Sequence, residues 1–221
     1  MKEYKAVLHE SDINGMPYEI LPMMIQYSVS EKYLNRICST LDMALGCYSR
    51  IFCVRVDLRL PTDFECYQLN DCMKRFIASL DAQIKSYSVR KLNQGIRVRD
   101  NKIRYVWSRE RNDSEKDHFH LVLVFNNDVF RSIGNLNDLN EEHLCSKIIN
   151  AWVSALGVKL DDFNGYLSVK KLVHFPENCT YVIKRDDIRS YQKAFYRFSY
   201  LAKMETKVMD HGVRSFGASK K

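Results

Sequence analysis

Glycine and proline are scarce, at eight and four in 221 residues. That leaves little material for a flexible linker, and no internal repeat or low-complexity stretch stands out. No apolar run approaches the roughly 20 residues that a bilayer span needs, and the opening residues MKEYKAVLHESD hold no signal-peptide core. The seven cysteines form no C-x-x-C, and any two are separated by at least five residues, as between Cys66 and Cys72. This spacing argues against a disulfide framework or a cysteine zinc site and for reduced thiols in a cytoplasm. No glycine-rich loop ends in Lys-Ser or Lys-Thr, so no Walker-type phosphate loop is present.

The composition is globular, with 46% hydrophobic and 28% charged residues. The net charge of +7 is unevenly spread. Residues 85–111 carry nine basic and two acidic side chains, and residues 184–221 carry ten and four. The rest of the chain is acidic, with 15 basic against 21 acidic side chains. Two basic segments on an acidic background fit either a polyanion site or a pair of solvated faces.

Residues 1–27 read as irregular, with Pro17 and Pro22 opposing a helix. A helix is expected over 31–45, with Ser28 and Glu31 at capping-box spacing and Gly46 as its stop. Residues 51–60 alternate as a strand, with Val54, Val56, Leu58 and Leu60 on one face and Arg55, Asp57 and Arg59 on the other. Thr62 and Glu65 form a second capping box before a long helix at 63–86. Strands at 102–109 and 118–126 read as a hairpin across Glu110–Asp117, followed by a helix at 141–156 that ends at Gly157. Short strands fit at 166–173 and 180–184, and a final helix at 187–209. This order indicates an α+β fold, a mainly antiparallel sheet with helices packed on it. Its main domain would span 47–221, with residues 1–46 as an N-terminal helical extension.

His118-Phe119-His120 is the sharpest local feature. Residues two apart on a strand share a face, so two imidazoles would stand side by side while Phe119, Leu121, Leu123 and Phe125 anchor the strand in the core. Two neutral imidazoles can share one divalent ion, given an anionic third ligand. Glu110, at the end of the preceding strand, and Asp57, on a neighbouring polar strand face, both qualify. On the last predicted helix Tyr196 and Tyr200 are four apart, with Lys203 one turn further on. Aromatic residues at that spacing are also ordinary core, as expected for Phe195, Phe198 and Leu201.

The ordered set of these motifs resembles the HUH endonucleases, which include rolling-circle replication initiators and conjugative relaxases. It is most similar to the YagK/YfjJ family of prophage and filamentous-phage replication-type proteins. Trp107-x-Arg109-Glu110 precedes His118-x-His120; Tyr200-Leu-Ala-Lys203-x-Glu-Thr-Lys207 and Arg214-Ser-Phe-Gly-Ala-Ser219 follow, and Arg55-x-Asp57-x-Arg59 matches as well. The resemblance covers residues 50–221 and implies an HUH-type, ferredoxin-like sandwich. It further implies a cytoplasmic, metal-dependent single-strand DNA nickase that starts rolling-circle replication of a phage or mobile element in a bacterial cell.

On that resemblance His118, His120 and Glu110, with Asp57 as the competing third ligand, would hold Mg²⁺ or Mn²⁺. Tyr200 would be the nucleophile, leaving a 5′-phosphotyrosine and a free 3′-hydroxyl for a host polymerase, with unwinding left to a host helicase. Lys203 would stabilise developing charge, and Tyr196 would be either a second nucleophile or a packing residue. Arg55, Arg59, Arg97, Arg99, Lys102, Arg104, Lys207 and Arg214 would contact single-stranded or origin DNA. Tyr105 and Trp107 would offer stacking surfaces, with Arg104 and Trp107 equally placed to be structural. The rival readings are a non-catalytic DNA-binding prophage regulator on the same fold and an RNA-binding module.

Overall fold

The computed structural model describes residues 28–61, 69–111, 116–138, 140–157, 171–207 and 212–220. The elements, in chain order, are α1 (Glu31–Cys47), β1 (Arg50–Arg59), α2 (Leu69–Asn93), β2 (Arg104–Glu110), β3 (His118–Asn126), α3 (Leu144–Leu156), β4 (Val173–His174), β5 (Thr180–Lys184), α4 (Ile188–Phe198), a 3-10 turn (Ser199–Ala202) and β6 (Phe216–Ala218). The fold is α+β, as the sequence predicts. One sheet runs β4-β1-β3-β2-β6, with β5 also on β1, and every pairing is antiparallel. Among the described residues no helix is long and apolar enough to cross a membrane.

Alternation along the strands builds a core on each face of the sheet. Val54, Val56 and Leu58 of β1 and Phe119, Leu121, Leu123 and Phe125 of β3 point to one side, where α2 and α3 close over them. Ile51, Cys53, Val106, Val122 and Val124 point to the other, against α1 and α4. A fully buried large apolar side chain contributes roughly 1.5–3 kcal/mol, so both helical layers matter. The segment expected as an N-terminal extension thus supplies Leu34, Ile37, Leu41 and Leu45 to the second core, shared with β1. The proline-bearing residues 1–27 and the Thr62–Glu65 capping box lie outside the described residues.

Several element ends differ from expectation for identifiable reasons. The cap of α1 is Ser30, directly before the helix start at Glu31, and its hydroxyl accepts from the Tyr33 N–H; the Ser28 N–H donates instead to the Glu205 carboxylate. α2 runs on to Asn93, past the last core residue Ile84, and stops only where Gly95 adopts φ +76° and its N–H bonds the Leu92 carbonyl. The left-handed conformation is one that glycine enters without steric cost. α3 begins at Leu144 and ends, as predicted, on Gly157 in the left-handed region. Of the strand expected at 166–173, only Val173 falls in a described strand, and residues 166–170 lie outside the description.

The final helix departs most. α4 ends at Phe198, tightens into the 3-10 turn, and Lys203 is already extended at φ −57°, ψ 138°. Residues 28–30 take the backbone groups that a longer helix would have used. Ser30 N–H donates to the Ala202 carbonyl at 2.9 Å, and Met204 N–H donates to Ser28 at 3.0 Å.

Candidate metal centre and tyrosine turn

The sheet register collects the polar residues of three strands on the α1/α4 side. Asp57 of β1 pairs with His120 of β3, which pairs with Ser108 of β2. One step along, Arg59 pairs with His118, His118 with Glu110, and Glu110 bridges to Lys207. The strand ends are held by an ion cluster. Arg109 donates to one oxygen of Asp117 at 2.8 Å and Arg111 to the other at 2.7 Å, with Arg109 and Asp117 almost fully buried. Glu110 and His118 are the immediate neighbours of that pair, so the lock fixes both ends of the hairpin.

Glu110, His118 and His120 each offer one ligand atom within 4.8 Å of the others. The imidazole centroids are 4.9 Å apart. His120 Nε2 is buried without a hydrogen-bond partner and lies 3.5 Å from Glu110 Oε2, longer than a hydrogen bond. An orphaned imidazole nitrogen facing a carboxylate oxygen is a donor set that suits a divalent cation. On the other side of the ring, Nδ1 lies 2.6 Å from Asp57 Oδ1 and 3.1 Å from Arg55 Nη2. Nδ1 cannot both donate and accept. The short carboxylate contact gives it the proton, and Arg55 pairs instead with Asp57 at 3.4 Å. The two candidate third ligands therefore separate: Glu110 faces the free nitrogen and Asp57 orients the ring from behind.

Burial opposes charge on His120, but its contacts with Asp57 and Glu110 outweigh that and raise its pKa. Burial, and then the neighbouring His120, pull the His118 pKa down. Burial acts to raise the Glu110 pKa, yet His120 and Lys207 hold it far below the usual carboxylate range. Glu110 is densely held: Oε1 accepts from Lys207 Nζ at 2.6 Å and Ser108 Oγ at 3.3 Å, and Oε2 accepts from Thr206 Oγ1 at 2.6 Å.

Tyr200 stands beside this centre on the 3-10 turn. Its ring centroid is 5.3 Å from that of His120, edge to face, with the Arg55 guanidinium 5.0 Å away and Lys203 Nζ 5.8 Å away. Tyr200 and Lys203 are not on one α-helical face, because the helix has ended; the turn itself brings them together. Tyr196 stays on α4, half-buried against the second core, so the shared face expected for the two tyrosines is broken by the tighter turn.

The residues expected to contact DNA scatter. Arg55 is buried in the site, and Lys207 is buried on Glu110. Arg59, Arg97, Arg99, Lys102 and Arg214 are exposed. Arg104 is buried, bonded to Cys47 Sγ at 3.0 Å and stacked 5.9 Å from the Tyr48 ring. Tyr105 and Trp107 point to the opposite face of the sheet and, with Lys102 and Arg214, line a cleft of about 980 Å³ against α2. Ser108, Thr206 and the bridge of Val29 to Lys203 went unnoticed in the sequence. Only the Glu-Thr-Lys end of the Tyr200–Lys207 motif pointed toward one of them.

Residues 19–219 match the family described as the YagK/YfjJ C-terminal domain. The chain is 34% identical over 199 residues to the uncharacterized protein YagK of Escherichia coli (strain K12), covering 85% of this chain and 92% of YagK. It is 32% identical over 201 residues to the uncharacterized protein YfjJ of the same strain, covering 85% and 93%. No solved structure gives a significant match. The chain belongs to the YagK/YfjJ family.

Proposed function

We propose that the protein is an HUH-type, metal-dependent endonuclease that nicks and rejoins single-stranded DNA, initiating rolling-circle replication of a phage or other mobile element in the bacterial cytoplasm. The observation that carries this is the convergence of Glu110, His118 and His120 within 4.8 Å, with the Tyr200 ring 5.3 Å from His120. Those three residues would hold Mg²⁺ or Mn²⁺, which when bound supplies Lewis-acid polarisation of a phosphodiester. Asp57 keeps the Nδ1 proton in place, so Nε2 would be left deprotonated to help hold the ion.

Tyr200 is the nucleophile. Its Oη forms a bond to the phosphorus, the bond to the 3′-oxygen breaks, and the phenol proton ends on the released 3′-hydroxyl. A phenol is weakly nucleophilic at its ordinary pKa of about 10, and the Arg55 and Lys203 cations beside the ring would stabilise negative charge that develops during the displacement. Rejoining is the reverse displacement, by a 3′-hydroxyl on the phosphotyrosine. Exposed Arg59, Arg97 and Arg99 would contact the backbone of the strand. A host polymerase would extend the free 3′ end and a host helicase would unwind ahead of it.

One observation favours the rival, a DNA-binding regulator without catalysis: Lys207 already neutralises the Glu110 carboxylate. A tiled set of single-stranded oligonucleotides from the element that encodes the protein, incubated with Mn²⁺, separates the two. The nickase yields a covalent protein–DNA adduct that EDTA prevents and Tyr200→Phe abolishes. An adduct that survives in Tyr200→Phe and vanishes in Tyr196→Phe moves the nucleophile to Tyr196. Salt-sensitive binding with no adduct on any strand establishes the regulator.

A further inference from the structure

Lys207 and Glu110 form an ion pair whose side chains are both fully buried. A pair so placed is held by its partners rather than by solvent, and removing either charge leaves the other uncompensated. The carboxylate offers about four lone-pair positions. Lys207 and Ser108 occupy Oε1, Thr206 occupies one position on Oε2, and what remains of Oε2 faces the orphaned Nε2 of His120. A divalent ion held by Glu110 and His120 would share one carboxylate with an ammonium group, inside a region that solvent does not screen. Lys203 adds a second nearby cation that acts electrostatically on Lys207.

We infer that Lys207 is an internal competitor of the metal: its ammonium serves as the resident counter-ion of Glu110 and sets how tightly a divalent cation binds at Glu110, His118 and His120. This rests on the metal-centre reading above. The competition works whether the ion displaces the ammonium or binds beside it, because both routes weaken the metal by the presence of the lysine charge. The backbone need not move. Lys207 is bridged to Glu110 through the main chain, and the Arg111 N–H donates to the Thr206 carbonyl at 3.0 Å. Only the side chain has to swing. On the displacement route it would do so on the segment that also carries Tyr200 and Lys203, and an external cation would replace an internal one next to the proposed nucleophile.

The test is a Mn²⁺ titration of the whole protein at pH 8, with free ion read by its electron paramagnetic resonance signal and no DNA present. Lys207→Met, close in length and without charge, should bind Mn²⁺ about tenfold more tightly than wild type. Its melting temperature should also rise more on adding Mn²⁺, since the ion then supplies the missing counter-charge. Lys207→Arg keeps the ion pair and grips the carboxylate with two donors, so it should fold readily and bind Mn²⁺ more weakly than wild type. Equal or weaker binding by Lys207→Met, or tighter binding by Lys207→Arg, overturns the inference while leaving the metal centre standing. Absence of binding in wild type and both variants removes the metal centre and the competitor together. Binding that appears only in Lys207→Met is the strongest support.

Discussion

Asp57 Oδ1 lies 2.6 Å from Nδ1 of His120, a contact set by the pairing of β1 with β3. A carboxylate behind a ligating imidazole fixes both the tautomer and the orientation of the ring. Asp57→Asn keeps the volume but removes the charge. Mn²⁺ affinity should fall about 10–100-fold, while the melting temperature without metal moves far less than in a core truncation. An unchanged affinity in the same titration would show that the ring is oriented by the sheet alone.

The hairpin lock makes a prediction independent of any metal. Asp117 accepts from both Arg109 and Arg111, and Arg109 is fully buried. Asp117→Ala leaves the Arg109 guanidinium without its carboxylate in the interior, a change that costs about 3–5 kcal/mol. Urea denaturation should report that loss. The paired change Arg109→Leu with Asp117→Ala should recover part of it, because the stranded charge is gone. If the double variant is no more stable than the single one, the Arg109 contact with the Val213 carbonyl matters more than the ion pair.

Most of this centre was legible in the strands. Strict alternation in 51–60 and 118–126 puts Arg55 and Asp57 on the same face of the sheet as His120, with Asp57 directly opposite it, and it separates Phe119, Leu121, Leu123 and Phe125 onto the other face. Period-two patterning carries such information because a one-residue slip would bury the charges. What stayed hidden depends on contacts distant in sequence. Nothing local to Tyr200 reveals that residues 28–30 cut α4 short, and nothing local to Lys207 reveals Glu110 97 residues away. Short β6 carries too few residues to show alternation, and its place beside β2 comes from packing on Trp107 and from the Tyr33–Phe216 ring stack, centroids 4.0 Å apart.

That packing is directly testable. Gly217 pairs with Trp107, and a Cβ at this position would meet the indole at 2.5–2.6 Å. The obstacle is a large ring that is itself wedged edge to face on Phe119, centroids 5.8 Å apart. Gly217→Ala should therefore destabilise by about 1–3 kcal/mol, as overpacking does. A thermal melt followed by tryptophan fluorescence would show it. A melt identical to wild type would mean that β6 can shift away from β2 at no cost.

Lys147 gives the pH dependence. It sits on α3, 3% exposed, with Nζ 4.5 Å from the Tyr87 ring centroid and donating to the Glu141 carbonyl. Burial pulls its pKa down to about 8, against about 10.4 in an unfolded chain. The unfolded chain therefore holds a proton that the folded protein has released between those two values. Stability must rise with pH across that window, and the cost of burying the charge is present in full below about pH 8. Lys147→Met has no such proton. Between pH 7.5 and 9.5 the urea midpoint of wild type should rise relative to that of Lys147→Met. Parallel shifts in the two proteins would place the ammonium in contact with solvent, outside the packed contact between α2 and α3.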